Sequence, residues 1–290
     1  MTGVIIGRFM PPHIGHQYLI DFAREIVDTL YVFVCTLETE PIPGDLRYRW
    51  VRSLAPDARV IHITEEIPEA RRDAAGATDI WASSIGDAVD ESIDYVFASE
   101  QYGFDLARAL SAQFFPVDPD RRNIPVSASL IREDPYGHWR FIPPVVRPYF
   151  VRHLVLIDEN RLSRTLADEF ETVVVHPYRE FWRLTWNEYG GKRGADTLEE
   201  EQIERGERAA IEALSRQANM ILIHDIRDAS GLARIPSIDL IVARHIHVEA
   251  IQAFFDSSEG TERSVPLILQ PDTVRADEIR RLLLEIYEEN

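Results

Sequence analysis

The sequence predicts an α/β protein built on doubly wound parallel sheets, and three observations carry that expectation. Short apolar runs alternate with helix-length amphipathic stretches through the first half of the chain. The alternation restarts after a proline-rich interruption, Ile142-Pro143-Pro144-Val145-Val146-Arg147-Pro148. The first apolar run, Val4-Ile5-Ile6, ends at Gly7, passes two prolines, and opens an amphipathic segment near Ile14. A glycine and prolines between an apolar run and an amphipathic one are the turn chemistry of a strand that feeds a helix.

In the first half, strands are expected at 4–6, 31–35, 60–63, 95–98 and 114–117, with helices at 14–27, 45–54, 79–90 and 102–111. Strictly alternating order implies a parallel sheet with helices on both faces. Ligands of such sheets bind beyond the C-terminal strand ends, where 7–16 and Ser99-Glu100 fall. The proline-rich stretch suits neither helix nor strand. It places a boundary near Phe150 and divides the chain into 1–150 and 151–290. In the second half, strands are expected at 153–157, 172–175, 220–224, 240–243 and 267–269, with long helices at 198–217 and 275–288. The Glu199-Glu200-Glu201 run reads as a solvated first helical turn rather than a metal site.

Composition narrows the function. With 290 residues the chain has room for two cores. The net charge is −18, spread over both halves, which argues against nucleic acid as a partner. A local arginine cluster would still bind phosphate. Cys35 is the single cysteine and sits in an apolar run, so a buried thiol is expected and an intramolecular disulfide is excluded. No apolar stretch reaches the length of a membrane span and no signal-peptide pattern opens the chain, so a cytoplasmic protein is expected.

The chemistry concentrates in Gly7-Arg8-Phe9-Met10-Pro11-Pro12-His13-Ile14-Gly15-His16. Two histidines at this spacing in a turn come together at a helix N-terminus. Free backbone N–H groups and a partial positive charge there suit an anionic phosphate. Gly15 lets backbone approach a ligand closely. A bare pair of histidines is more often an ordinary surface pair; Gly7, Arg8, Pro12 and Gly15 around it favour a functional one.

This stretch resembles the H-x-G-H motif of the nucleotidyltransferase superfamily, and its G-R-F-x-P-P-H-x-G-H form resembles nicotinamide mononucleotide (NMN) adenylyltransferases. The same four letters open class I aminoacyl-tRNA synthetases. Those enzymes require a lysine-rich K-M-S-K-S loop, and this chain has one lysine, Lys192. A second element, Ile124-Pro125-Val126-Ser127-Ala128-Ser129-Leu130-Ile131-Arg132, resembles the superfamily's I-S-x-T-x-x-R motif, with Val126 and Ser129 replacing isoleucine and threonine. Ser127 or Ser129 can cap a helix, which would bring Arg132 beside free N–H groups.

The resemblance implies a Rossmann-like fold for the first domain and assigns site residues. His13, His16 and Arg132 are expected to be catalytic. Gly7, Arg8, Phe9, Gly15, Ser127 and Ser129 are expected to bind ATP. Arg47, in Gly44-Asp45-Leu46-Arg47-Tyr48-Arg49-Trp50, resembles a family arginine near the phosphates. Trp81 falls where related enzymes set a tryptophan against the nicotinamide ring, and a pyridinium over an indole is favourable. A single tryptophan also reads as core. Ser99 and Glu100 resemble the segment that lines the nucleotide pocket. Mg²⁺ would accompany ATP without a dedicated protein ligand.

Likeness continues through 134–151 into a junction similar to that of bifunctional NMN adenylyltransferase/ribosylnicotinamide kinases, and then departs from them. A P-loop kinase needs strand, G-x-x-x-x-G-K-S/T, helix. Here the region reads Leu156-Ile157-Asp158-Glu159-Asn160-Arg161-Leu162-Ser163-Arg164-Thr165-Leu166, without glycine or lysine. Tyr178-Arg179-Glu180 and the acid Asp225 after a strand keep the look of kinase landmarks. The second domain therefore reads as a P-loop-kinase-like α/β domain without its P-loop, with Asp225 structural.

The reaction the resemblance implies is ATP + NMN → NAD + pyrophosphate. The rivals are another H-x-G-H transferase with a different phosphate acceptor and a non-catalytic nucleotide sensor. The expected partners are ATP and NMN. The choice between NMN and its deamidated analogue, and whether the chain forms a homo-oligomer, stay open.

Overall fold

The computed structural model describes residues 1–37, 39–64, 74–179, 181–182, 196–257, 267–271 and 275–285. The chain divides into two compact units, Met1–Val146 and Arg147–Asn290.

In the first unit, the elements run β1 (Thr2–Gly7), α1 (Ile14–Arg24), β2 (Thr29–Cys35), α2 (Gly44–Leu54), β3 (Arg59–Ile63), α3 (Ala74–Ala88), β4 (Tyr95–Ala98), α4 (Tyr102–Ala109), β5 (Gln113–Pro116) and α5 (Ala128–Glu133). All strands are parallel, in the order β3-β2-β1-β4-β5. The alternation of side chains along each strand builds two cores. Ile5, Val32, Val34 and Phe97 pack with Leu19 and Ile20 of α1 on one face. Val4, Ile6, Phe33 and Val96 pack with Ile85 of α3 and Leu106 of α4 on the other. β1 lies at the centre with Val4 and Ile5 wholly buried, which explains a strand with no polar alternation.

The expected elements of this unit are present with shifted ends. β1 starts earlier, its Thr2 N–H donating to Asp94 Oδ2 at 2.7 Å. α1 stops sooner, at Arg24, and α3 starts earlier, at Ala74, in an alanine-rich stretch without an apolar stripe to announce it.

The second unit runs β6 (Arg152–Ile157), α6 (Asn160–Phe170), β7 (Val174–Val175), α7 (Asp196–Ser215), β8 (Ile221–Ile226), β9 (Leu240–Ala243), α8 (His245–Ser257), β10 (Leu267–Leu269) and α9 (Ala276–Glu285). Its sheet is also parallel, in the order β10-β9-β6-β8-β7. β6 is central here, with Leu154 and Leu156 facing one core and Val155 and Ile157 the other. A buried histidine pair joins β6 to β8: His153 Nδ1 lies 2.8 Å from His224 Nε2. Burial pushes the His153 pKa down to about 4, so the pair is neutral at pH 7.

Two helices of this unit were not among the expected ones, α6 and α8. In α6 the buried positions are Ser163, Leu166 and Phe170, so a serine interrupts the apolar stripe. Lys192, Glu180 and residues 286–288 of the expected last helix lie outside the described residues, as does the side chain of Glu199. Among the described residues no helix is long and apolar enough to cross a membrane.

Candidate active site

The order of the first sheet reverses between β1 and β4, and a crevice opens there beyond the strand ends. It holds a cavity of about 390 Å³. Gly7, Arg8, Phe9, His13, Gly15 and His16 reach it from the β1–α1 loop, and Ser99, Glu100 and Tyr102 from the end of β4. Ser129 and Arg132 of α5, Arg121 before it, and Trp81 of α3 complete the wall. A larger cavity, about 770 Å³, lies in the second unit at the ends of β7 and β8. His176 and His224 line the larger cavity, and the His13/His16 pair lines the smaller.

The histidine pair is built by the start of α1. His13 is the N-cap residue, and its Nδ1 accepts the Gly15 N–H at 3.1 Å. The His13 N–H in turn donates to His16 Nδ1 at 3.2 Å. This reciprocal cap satisfies two helix N-terminal donors with imidazole nitrogens. It also sets the tautomers: each Nδ1 accepts, so in each neutral ring the proton sits on Nε2. The rings lie 3.8 Å apart between centroids, and Phe9 backs His16 at 4.8 Å. Burial pushes the His16 pKa down to about 3, with Arg121 adding to the effect. Burial, then His16 and Arg121, lower that of His13 as well. Both rings are neutral Nε2–H donors at pH 7. A Cβ on Gly15 would come within 2.9 Å of His13 Nδ1, so only glycine leaves that ring in place.

Arg132 anchors α5 to the first loop. It donates to the Met10 carbonyl through Nη1 and to Ser129 Oγ at 3.2 Å through Nη2. Trp81 lines the cavity and also packs edge-on to Tyr102 at 6.3 Å, so its core and cavity readings both describe it. Cys35 is buried, as expected, with its thiol pKa pushed up by burial to about 12.

Two of the expected residues, Ser127 and Arg47, do not line the cavity. Ser127 is the α5 N-cap; its Oγ accepts the Leu130 N–H at 3.2 Å, and it does not line the cavity. Arg47 is wholly buried and lies off the cavity. Its Nε donates to the Ile42 carbonyl at 3.0 Å and its Nη1 to the Arg8 carbonyl at 2.6 Å. Its Nη2 pairs with Glu40. It therefore holds the loop that carries Arg8, in place of the position near the phosphates expected for it. Glu40, Arg121 and Tyr102 were not singled out as site residues in the sequence. Glu40 and Arg121 sit in loops whose place depends on the whole sheet. Tyr102 lay within a segment whose likeness to a pocket wall was the one available signal.

A switch-point crevice walled by a capping histidine pair and arginines is suited to a nucleotide. Residues 4–134 match the family described as cytidylyltransferase-like. Across both units the chain is homologous to NadR. It is 25% identical over 318 residues to the "Trifunctional NAD biosynthesis/regulator protein NadR" of Escherichia coli (strain K12), covering 99% of this chain and 76% of that protein. It is 27% identical over 198 residues to the protein of the same name from Salmonella typhimurium (strain LT2), covering 61% of this chain and 48% of that one, less than half of that relative. Crystal structures of NadR share the fold. One, in complex with NAD and AMP-PNP, superposes with a TM-score of 0.69 at 17% identity over 100% of this chain and 96% of that one. Another, in complex with NR, gives 0.61 at 18% identity over 99% and 87%.

Proposed function

We propose that the first unit transfers AMP from ATP to NMN, giving NAD and pyrophosphate. The observation that carries this reading is the pair of neutral Nε2–H donors of His13 and His16, set at a helix N-terminus in a cavity shared with Arg8 and Arg132. The NAD biosynthesis in the relatives' name supports the choice of acceptor.

In the proposed reaction, a 5′-phosphate oxygen of NMN forms a bond to the α-phosphorus of ATP while the bond to the β-phosphate oxygen breaks, and pyrophosphate leaves. A phosphate is already ionised at neutral pH, so little base catalysis is needed. The chain supplies alignment and donors to the charge that builds on the α-phosphate oxygens. His16 donates to those oxygens, with His13 beside it. Arg8 and Arg132 offset the charge of incoming and leaving groups. Mg²⁺, bound with ATP, would screen the triphosphate. Among the described residues there is no group of three or more His, Cys, Asp or Glu that could hold a metal. The test is NAD formation from ATP with NMN, its deamidated analogue and unrelated phosphate acceptors. Turnover only with an unrelated acceptor, or nucleotide binding without turnover, would replace this reading with one of its rivals.

Trp81 bears on the acceptor. Trp81→Ala should raise KM for NMN and leave KM for ATP nearly unchanged, a loss of about 0.5–2 kcal/mol if the indole stacks on the pyridinium. Steady-state kinetics with each substrate varied in turn checks this. Equal effects on both would reduce Trp81 to its packing with Tyr102.

The second unit is proposed to lack kinase activity. The turn from β6 into α6 consists of Asp158 and Glu159 alone. Asp158 is left-handed at φ 56°, and Glu159 is held by Arg244 Nε at 2.6 Å. A phosphate loop instead wraps several backbone N–H groups around the anion and adds a lysine. Two carboxylates occupy this turn. Ser163 points inward and donates to the buried Asp225 at 2.8 Å, which supports a structural role for that acid. NMN plus ATP should yield NAD, and nicotinamide riboside plus ATP should yield neither NMN nor NAD by chromatography. Steady ATP-dependent NMN from the riboside would overturn this.

A further inference from the structure

Glu40 is a carboxylate in an unexpected place. Its side chain is 3% exposed, beside a cavity proposed to bind polyphosphate. An acid there ought to repel the ligand, yet it is enclosed by donors. Oε1 accepts Arg8 Nε at 2.6 Å and also meets Arg8 Nη2. Oε2 accepts the Leu37 N–H at 3.0 Å and pairs with Arg47 Nη2. Burial opposes its charge, but the Leu37 N–H and the two guanidiniums outweigh it and hold its pKa below the usual carboxylate range. One carboxylate between two guanidiniums leaves the cluster with one net positive charge.

The two arginines differ in a way that assigns the direction of support. Arg47 is wholly buried and bound on three sides, including the Arg8 carbonyl, so it is the fixed end. Arg8 is 57% exposed and lines the cavity, so it is the working end. An exposed arginine ordinarily loses rotamer freedom when it engages a ligand. Here Glu40 takes one edge of the guanidinium, Nε and Nη2, in advance. That leaves the Nη1 edge for an incoming oxygen.

We propose that Glu40 is a positioning residue for nucleotide binding: braced by Arg47, it aims Arg8 at the phosphates of ATP. The inference rests on the nucleotidyl-transfer reading but concerns binding, so it is tested without the reaction. ATP affinity is measured by calorimetry on the full chain for wild type, Arg8→Ala, Glu40→Gln and the double variant. Arg8→Ala should weaken ATP by about tenfold, the size expected for a charge-assisted hydrogen bond. Glu40→Gln should weaken it several-fold, and the double variant should be no weaker than Arg8→Ala alone, because Glu40 acts through Arg8. In turnover, Glu40→Gln should raise KM for ATP more than it lowers kcat. Wild-type affinity in Glu40→Gln, or the same additional loss on the Arg8→Ala background, overturns the proposal. If Glu40→Gln does not fold, Arg8→Lys carries the test. An ammonium is a point charge on a shorter stem: held by Glu40, it cannot also present the outward Nη1 edge that the planar guanidinium aims into the cavity, so Arg8→Lys should lose most of the affinity that Arg8→Ala loses, and wild-type affinity in Arg8→Lys overturns the idea. A wild type that binds ATP but makes no NAD refutes the proposed reaction and leaves this inference standing.

Discussion

His16→Ala is expected to lower kcat for NAD formation by about a hundredfold or more, the effect of removing one donor aimed at developing charge. ATP affinity should fall much less, because the donor gains most as negative charge concentrates on the transferring phosphate. The geometry makes His16 the clearer choice of the pair. Its Nδ1 is occupied by the His13 N–H, its ring is backed by Phe9, and burial suppresses its pKa to about 3. A ring held this way presents one N–H in one direction. The substitution also removes the acceptor for the His13 N–H, so the melting temperature is measured alongside. A fold intact but slow is the expected outcome, with part of the rate restored by His16→Asn if its amide reaches the same oxygen. Turnover near wild type, or a loss of ATP affinity with kcat unchanged, would remove His16 from the reaction.

The second large effect falls on stability. Arg47→Ala should destabilise the first unit by about 3–5 kcal/mol, the range for breaking a buried ion pair by removing one partner. The residue is wholly buried and serves the Ile42 and Arg8 carbonyls and the Glu40 carboxylate together. Removing it leaves a carboxylate in a site with 3% exposure and strips the Ile42, Arg8 and Cys35 carbonyls of a donor. The melting transition should drop by roughly 10 °C for a unit of this size. Arg47→Lys should recover only part, since an ammonium cannot span these acceptors in one plane. An unchanged melting temperature in Arg47→Ala would show that this cluster contributes little. A large loss of ATP affinity at unchanged stability would return Arg47 to phosphate contact.

The first unit was legible in the sequence because its signals are local. Apolar runs alternating with amphipathic stretches mark β1 to β5 and their helices, and the Gly7–His16 turn writes its chemistry in consecutive residues. α6 and α8 were harder to see. A helix whose buried row contains Ser163 does not display the apolar period that announces a core-facing helix.

By itself the sequence determined the parallel α/β class, a crevice at the end of the first strand, and the approach of His13, His16 and Arg132 to it. Each of those depends on patterns within a few residues or on the order of strands. The tertiary structure decided which arginine lines the cavity. Arg8 and Arg47 are alike as residue types, and each lies in a motif that resembles a phosphate-binding element. Only the packing of α2 under the β1–α1 loop makes one of them solvent-facing and the other a buried brace. It also decided that Ser127 caps α5 while Ser129 meets Arg132 at the cavity, and that Glu40 closes on both arginines. Side-chain direction and desolvation depend on neighbours brought together from distant parts of the chain, and no local pattern records them.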